Sequence, residues 1–207
     1  MRGRYAPSPT GLLHLGNLRT ALLAWLFARS SGSSFALRFE DLDRDAVRPE
    51  YYDEQRRALQ RLGLDWDEEL RQSDHLDRYR AALADLVDRG LTYRCYCTRR
   101  EIREAASAPH GELPEGAYTG TCRELSDAAT RSHERDGRIP ALRLRAAGER
   151  VSYDDRLLGA VTGVLDDTVI ARRDGTPAYN LVVVVDDEHQ CVEEVVRGDV
   201  LALSTPR

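Results

Sequence analysis

The chain has 207 residues, 42% of them hydrophobic, and a formal net charge of -5. That length suits one moderately large domain, or a domain carrying an insertion, with a substantial buried core. The acidic balance argues against a protein that coats nucleic acid by bulk electrostatics, although a local basic face can still bind RNA. All thirty basic residues are arginines, so there is no lysine. The longest apolar stretch near the N-terminus, Thr20 to Ala28, lies between Arg19 and Arg29 and is too short to span a bilayer. Nothing before Arg4 reads as a leader peptide, and a cytoplasmic protein is expected.

Arg2 to Ser8 can form a first strand. Leu15, Leu18, Leu22, Trp25 and Leu26 then recur at helical spacing up to Arg29, which makes a strand, a Pro/Gly turn and a helix. In FALRFEDLD, Phe35, Leu37 and Phe39 alternate with Ala36, Arg38 and Glu40, the pattern of a second strand ending in acidic residues. Helices are predicted from Pro49 to Leu62 and from Asp74 to Arg89, the second with Ser73 as N-cap and Gly90 as its stop. This β-α-β-α-α order points to an α/β sheet with crossover helices.

From Thr92 to Gly148 the character changes, with three cysteines, the stretch SAPHGELPEG and two short charged helices. One of these is opened by Thr98 with Glu101 as a capping box, and the segment reads as an insertion. After it, ALRLR, VTGVL, TVIARR and YNLVVVV read as strands. The run Leu181 to Val185 suits a strand buried on both faces. It ends in Asp186 and Asp187, which are read as caps or turn formers and not as a magnesium pair.

Two constellations carry chemistry. The first is YAPSPTGLLHLGN, where a helix N-terminus offers unpaired N–H groups to a phosphate, Gly11 and Gly16 allow close approach, and His14 and Asn17 add donors. It matches neither a Walker loop nor a dinucleotide turn, and spacing alone leaves a plain tight turn open. The second is Cys95-Tyr96-Cys97 with Tyr118-Thr119-Gly120-Thr121-Cys122. Two thiolates on a tight turn and a third from a returning segment supply three of the four ligands zinc wants. Tyr118 and His110 compete for the fourth place. Cys191 reads as an ordinary core thiol.

APSPTGLLHLGNLRTALLAW resembles the HIGH-type signature of class I aminoacyl-tRNA synthetases, with His14-Leu15-Gly16-Asn17 in the HIGH place. RFEDLDR, AYNL, VVVDD and VVRGD agree in the same order with the glutamate-activating branch, across essentially the whole chain. The Cys-x-Cys and Tyr-x-x-x-Cys pattern resembles the zinc knuckle of the glutamyl-queuosine tRNA(Asp) synthetases. The resemblance implies an α/β, Rossmann-like catalytic domain in two halves, 1–91 and 149–207, around an inserted zinc-binding subdomain, 92–148.

It also implies residue roles. His14 and Asn17 are catalytic and, with Gly16, bind ATP, which is a substrate used with magnesium. Arg4, Tyr5, Ala6, Pro7, Ser8, Glu40, Tyr179 and Arg197 line the glutamate site, Glu40 meeting the ammonium and Arg4, Tyr179 and Arg197 the carboxylates. Cys95, Cys97, Tyr118 and Cys122 hold one structural zinc. The implied partners are glutamate, ATP and the queuosine-bearing tRNA(Asp), with no membrane and a monomeric state. The family's lysine-bearing KMSKS-type loop has no counterpart in a chain without lysine. A fragment cut before that loop is therefore expected, with a protein that has lost this half of the phosphate clamp as the alternative. A catalytic part of an ordinary glutamyl-tRNA synthetase, or a non-catalytic binder of glutamate or RNA, stays open.

Overall fold

A computed structural model of the chain describes residues 2–106, 118–146, 148–198, 201–202 and 205–206. It divides into two compact units, residues 1–78 with 184–199 and residues 79–183 with 200–207. The stretch SAPHGELPEG, with His110, lies outside the described residues.

The first unit is built on β1 (Arg2–Tyr5), α1 (Leu15–Ser30), β2 (Ser34–Phe39), α2 (Pro49–Arg61) and β3 (Glu68–Arg71). The three strands form a parallel sheet in the order β1-β2-β3. Parallel neighbours need long crossovers, and α1 and α2 supply them. β3 is an addition to the sequence reading, because its residues Glu68 to Arg71 carry one apolar side chain, Leu70.

The buried face of α1 differs from the expected one. Ala21, Ala24 and Ala28 are buried, whereas Leu15, Leu22 and Leu26 are exposed. Small side chains let the helix lie close to the sheet. At Gly3 on β1 a Cβ would come within 3.1 Å of the Ala28 Cβ, so glycine on the strand and alanine on the helix serve one close approach. Phe35, Leu37, Phe39, Leu59 and Leu64 complete this core.

A 3₁₀ turn, Gln72–His75, precedes α3 (Leu76–Asp88). Ser73 is therefore not the N-cap expected of it. Its N–H and hydroxyl both donate to the Asp41 carboxylate, at 2.7 and 2.6 Å, an acceptor the chain brings from the end of β2. Gly90, at φ +68, ends the helical run as expected.

The second unit contains β4 (Thr92–Cys95), α4 (Arg99–Ala106), α5 (Asp127–Arg135), β5 (Ala141–Leu144), β6 (Arg150–Asp155), β7 (Gly159–Val164) and β8 (Val169–Ala171). β4, β5 and β8 form an antiparallel sheet in that order, and β6 with β7 forms a separate hairpin. The Thr98–Glu101 capping box is present, each backbone N–H donating to the other's side chain.

The segment read as a buried strand is a helix, α6 (Tyr179–His189). Along it Val182, Asp186 and Gln190 are buried while Val184 is exposed, a helical period whose inward positions are partly polar. An unbroken apolar run cannot separate a strand from a buried helix, and here the inward Asp186 and Gln190 hide the period. Cys191, expected in the core, is exposed at the end of α6. It takes φ 52 while the Val192 N–H donates to the Asp187 carbonyl at 2.8 Å, so it sits in the left-handed position of a helix stop. Among the described residues no helix is long and apolar enough to cross a membrane.

Candidate functional site

In the first unit, Arg4 lies near the end of β1, and residues 6–9 continue beyond its carboxyl end. Glu40 follows directly after β2. Open α/β sheets place ligands at such strand ends. The loop is tied down by backbone: the Glu40 N–H donates to the Pro7 carbonyl at 2.9 Å and the Arg48 N–H to the Pro9 carbonyl at 3.0 Å. Buried Gln55 on α2 donates from Nε2 to the carbonyls of Ser8 and Gly11, at 3.0 and 2.8 Å. Gln55 had no signal in the sequence, since its role depends on a loop distant in the chain.

His14 caps α1. Its Nδ1 accepts from the N–H groups of Gly16 and Asn17, at 3.1 and 3.3 Å, while Asn17 Oδ1 accepts from the His14 N–H at 3.2 Å. An Nδ1 that accepts places the proton of the neutral ring on Nε2, leaving Nε2–H as an outward donor beside the helix N-terminus. A Cβ at position 16 would meet His14 Cε1 at 2.9 Å, so a larger residue there must push the His14 ring out of its cap. His14, Gly16 and Asn17 are thus one structural piece.

A charged cluster lies at the same strand ends. Arg4 donates from Nε and Nη2 to the two carboxylate oxygens of Asp187, at 3.2 and 3.4 Å. Arg38, fully buried, donates to Asp187 at 2.6 Å and to Gln190 at 3.2 Å, and lies 3.7 Å from Glu40 and 3.8 Å from Asp186. Gln72 donates to Asp186 at 2.9 Å. Burial pushes the Glu40 carboxyl up to about 7 against the opposing pull of Arg38 and Arg4. Burial likewise raises the Tyr5 phenol to about 12.

Arg4, Glu40, His14, Gly16 and Asn17 therefore belong to one unit with Tyr5, Ala6, Pro7, Ser8 and Arg197, of which Ser8 and Arg197 are exposed. Tyr179 falls in the other unit. Arg38 and Asp187 are additions. Arg38 alternates as an outward residue would, and Asp187 follows a run read as strand, so neither announces an inward side chain.

The second unit gathers the thiols. Cys95, Cys97 and Cys122 place their sulfurs within 4.8 Å of one another, a set that could hold a metal ion. The Tyr118 hydroxyl lies 3.4 Å from Cys95 Sγ and 3.7 Å from Cys97 Sγ, and the Cys97 and Cys122 sulfurs are 3.4 Å apart. A tetrahedral zinc at about 2.3 Å from sulfur and about 2.0 Å from oxygen sets its donors roughly 3.5–3.8 Å apart, so the donor set fits. The Cys122 N–H donates to the Tyr118 oxygen at 2.8 Å, which orients the phenol.

Gly120, at φ +82, makes the turn between them. Hydrogen bonding from Cys122 holds the Cys95 thiol down, to about 4, and raises that of Cys122 in turn. Two buried acids frame the cluster: Asp166 accepts the Tyr118 N–H at 3.0 Å, and Asp167 accepts Tyr93, Arg123 and the Ala146 N–H.

A family model described as tRNA synthetases class I (E and Q), catalytic domain, matches residues 1–207. The chain belongs to that family. It is 60% identical over 208 residues to a Nocardia farcinica protein named glutamyl-Q tRNA(Asp) synthetase, covering 99% of this chain and 65% of that protein. It is 40% identical to a glutamate–tRNA ligase of Bacillus licheniformis, covering 100% of this chain and 45% of the ligase. Among solved structures, a glutamate tRNA ligase from Elizabethkingia meningosepticum, in complex with its amino acid, matches with TM-score 0.80 and 28% identity over 99% of this chain and 45% of that one. The chain thus spans less than two thirds of the length of these relatives. The resemblance drawn from the HIGH-type stretch and the cysteine knuckle is the family found here, and the α/β catalytic domain of a class I synthetase is its fold.

Proposed function

We propose that this chain is catalytic machinery that activates glutamate with ATP, without needing tRNA, and passes the glutamyl group to the queuosine at the wobble position of tRNA(Asp). The observation that carries this reading is the convergence, at the ends of β1 and β2, of a carboxylate-matching arginine, an ammonium-matching acid and a histidine-capped helix N-terminus. Arg4, preset by Asp187, offers the fork that a carboxylate accepts. Glu40, ionised, meets the substrate ammonium. The Gly16 and Asn17 N–H groups, expected from the sequence to be unpaired, are taken by His14 Nδ1. It is therefore the positive end of the α1 dipole and the Nε2–H of His14 that face phosphate oxygens, and Asn17 keeps the cap closed.

In the reaction, an oxygen of the glutamate α-carboxylate attacks the α-phosphorus of ATP, the bond to the bridging oxygen breaks, and pyrophosphate leaves. Such chemistry is accelerated by alignment and by charge stabilisation, and needs no protein nucleophile. Cys95, Cys97, Tyr118 and Cys122 would hold a structural zinc that, when bound, cross-links the knuckle and leaves no open position for water. Tyr179 and Arg197 complete the glutamate contacts in this reading, by their match to the family's motifs.

The test is isotope exchange between pyrophosphate and ATP, with glutamate and no tRNA, run on this chain and on the whole product of its reading frame. Exchange without tRNA supports the proposal. Exchange that appears only with tRNA(Glu) would assign the chain to an ordinary glutamate–tRNA ligase. Inertness of both forms under all conditions would leave a binder of glutamate or RNA.

A further inference from the structure

A cavity of about 560 Å³ opens beside the thiol cluster, entirely within residues 79–183. Cys95 and Cys97 form one part of its wall and Tyr179 and Asn180 another, and four arginines, Arg99, Arg143, Arg172 and Arg173, line the rest of its polar surface. Among the described residues no aspartate or glutamate lines it, although the Cys95 thiol in its wall, with Arg143 beside it, is an anion-forming group. The arginines are poorly neutralised. Arg143 donates to the Asp167 carbonyl at 2.6 Å and lies 3.7 Å over the Tyr118 ring, with its Nε buried and without a partner. Arg173 donates to the carbonyls of Tyr96 and Cys97, at 3.2 and 2.8 Å, and no ion pair is seen for it among the described residues. Arg172 meets a carboxylate only loosely, Asp174 at 3.9 Å.

A concavity lined by one sign of charge concentrates potential and draws counter-ions, and guanidinium forks match phosphate oxygens. Tyr179 adds a second feature, because its ring is more than half exposed. A basic groove beside an accessible aromatic face is the combination that holds single-stranded nucleic acid, phosphate on the arginines and base on the ring. A free anion can use the tyrosine hydroxyl but not the face of its ring.

We propose that this cavity seats a phosphodiester phosphate of a single-stranded RNA loop. The anion chemistry stands by itself; the identification of the loop as the strand carrying the acceptor nucleotide rests on the glutamyl-transfer reading above.

The experiment uses a fluorescently labelled anticodon stem-loop RNA of tRNA(Asp), titrated with the full chain at several salt concentrations. Three proteins are compared: the unaltered chain, Arg99→Gln/Arg172→Gln, and the control Arg131→Gln/Arg135→Gln on α5, which removes the same charge elsewhere in the unit. The expected result for the cavity variant is a loss of affinity of about tenfold or more and a salt slope smaller by roughly 0.7 per phosphate contact removed, with an unchanged Tm. The control should lose far less. Equal losses in the two variants, or none in the first, would overturn the site. If the cavity variant weakens pyrophosphate or ATP binding and leaves RNA binding intact, the cavity takes free phosphates and the RNA assignment is wrong. An unaltered chain that does not bind the RNA at low salt also overturns it. Glutamate-dependent pyrophosphate exchange requires no RNA, so it reports on the activation step independently of this outcome.

Discussion

The two units each bury a cluster of ionisable groups, and the clusters are built on opposite plans. At the strand ends of the first, Arg4 and Arg38 face Glu40, Asp186 and Asp187, so cation and anion are both supplied by the chain. In the second, three thiols and a phenol converge, all of them groups that become anionic on losing a proton, and the nearby cation, Arg143, lies over the face of the Tyr118 ring. The first cluster is charge-paired within the chain, although Arg38 keeps two buried nitrogens without a hydrogen-bond partner. The second is a donor set that could hold a metal ion.

The largest effect should therefore come from the second cluster. One zinc per chain is expected by elemental analysis, lost on Cys97→Ser and on treatment with a strong chelator. Structural zinc sites contribute on the order of 10 kcal/mol to folding, so the loss should appear as a collapse of the second unit's protection in hydrogen exchange. Strands β1 and β2 should be protected much as before. A chain that carries no metal and keeps its exchange pattern in Cys97→Ser would break the contrast between the two clusters.

An intermediate effect is expected in the first cluster. Arg38→Met leaves Asp187 and Glu40 without their buried counter-ion, and breaking such a pair costs about 3–5 kcal/mol. Glu40 then gives a pH test with a definite sign. Burial raises its folded pKa to about 7, above the ordinary 4.5, so the folded state holds the proton more tightly than the unfolded state does. The favourable contribution is fully present below 4.5 and is lost as pH rises through about 7. The stability of Glu40→Gln relative to the unaltered chain should thus improve between those values and level off above them, in denaturant titrations. In the proposed reading glutamate binding needs an ionised Glu40, and it should then strengthen over the same range. A flat stability difference would remove Glu40 from the buried cluster.

How much of this was legible follows from the range of each interaction. The Thr98–Glu101 box and the Cys-x-Cys turn are local, so spacing exposes them; the His14–Asn17 cap is as local, but in the sequence its two side chains read as donors to a phosphate and not as a cap. Glu40 was legible as a strand end. Arg38 was not, because its burial depends on Asp187 and Gln190 at the far end of the chain. The buried face of α1 was misread for a related reason: hydrophobicity marks its leucines, but closeness to β1 selects Ala24 and Ala28. In α6 the valines dominate the pattern, while Asp186 and Gln190 are turned inward by partners that lie elsewhere in the chain.

The smallest predicted effect separates Cys191 from the other three cysteines, which sequence alone could group with it only as thiols. Cys191 is exposed and holds φ 52 at the stop of α6, a conformation that costs a residue with a Cβ about 1 kcal/mol or more and glycine almost nothing. Against this, glycine gains freedom in the unfolded chain, which offsets roughly 0.4–1 kcal/mol. Cys191→Gly should therefore leave stability within about 1 kcal/mol of the unaltered chain, with zinc content unchanged. Cys191→Val should destabilise by more than Cys191→Gly, because a β-branched side chain tolerates the left-handed region least. If Cys191→Gly instead lost metal, the thiol would belong to the ligand chemistry and not to the helix stop.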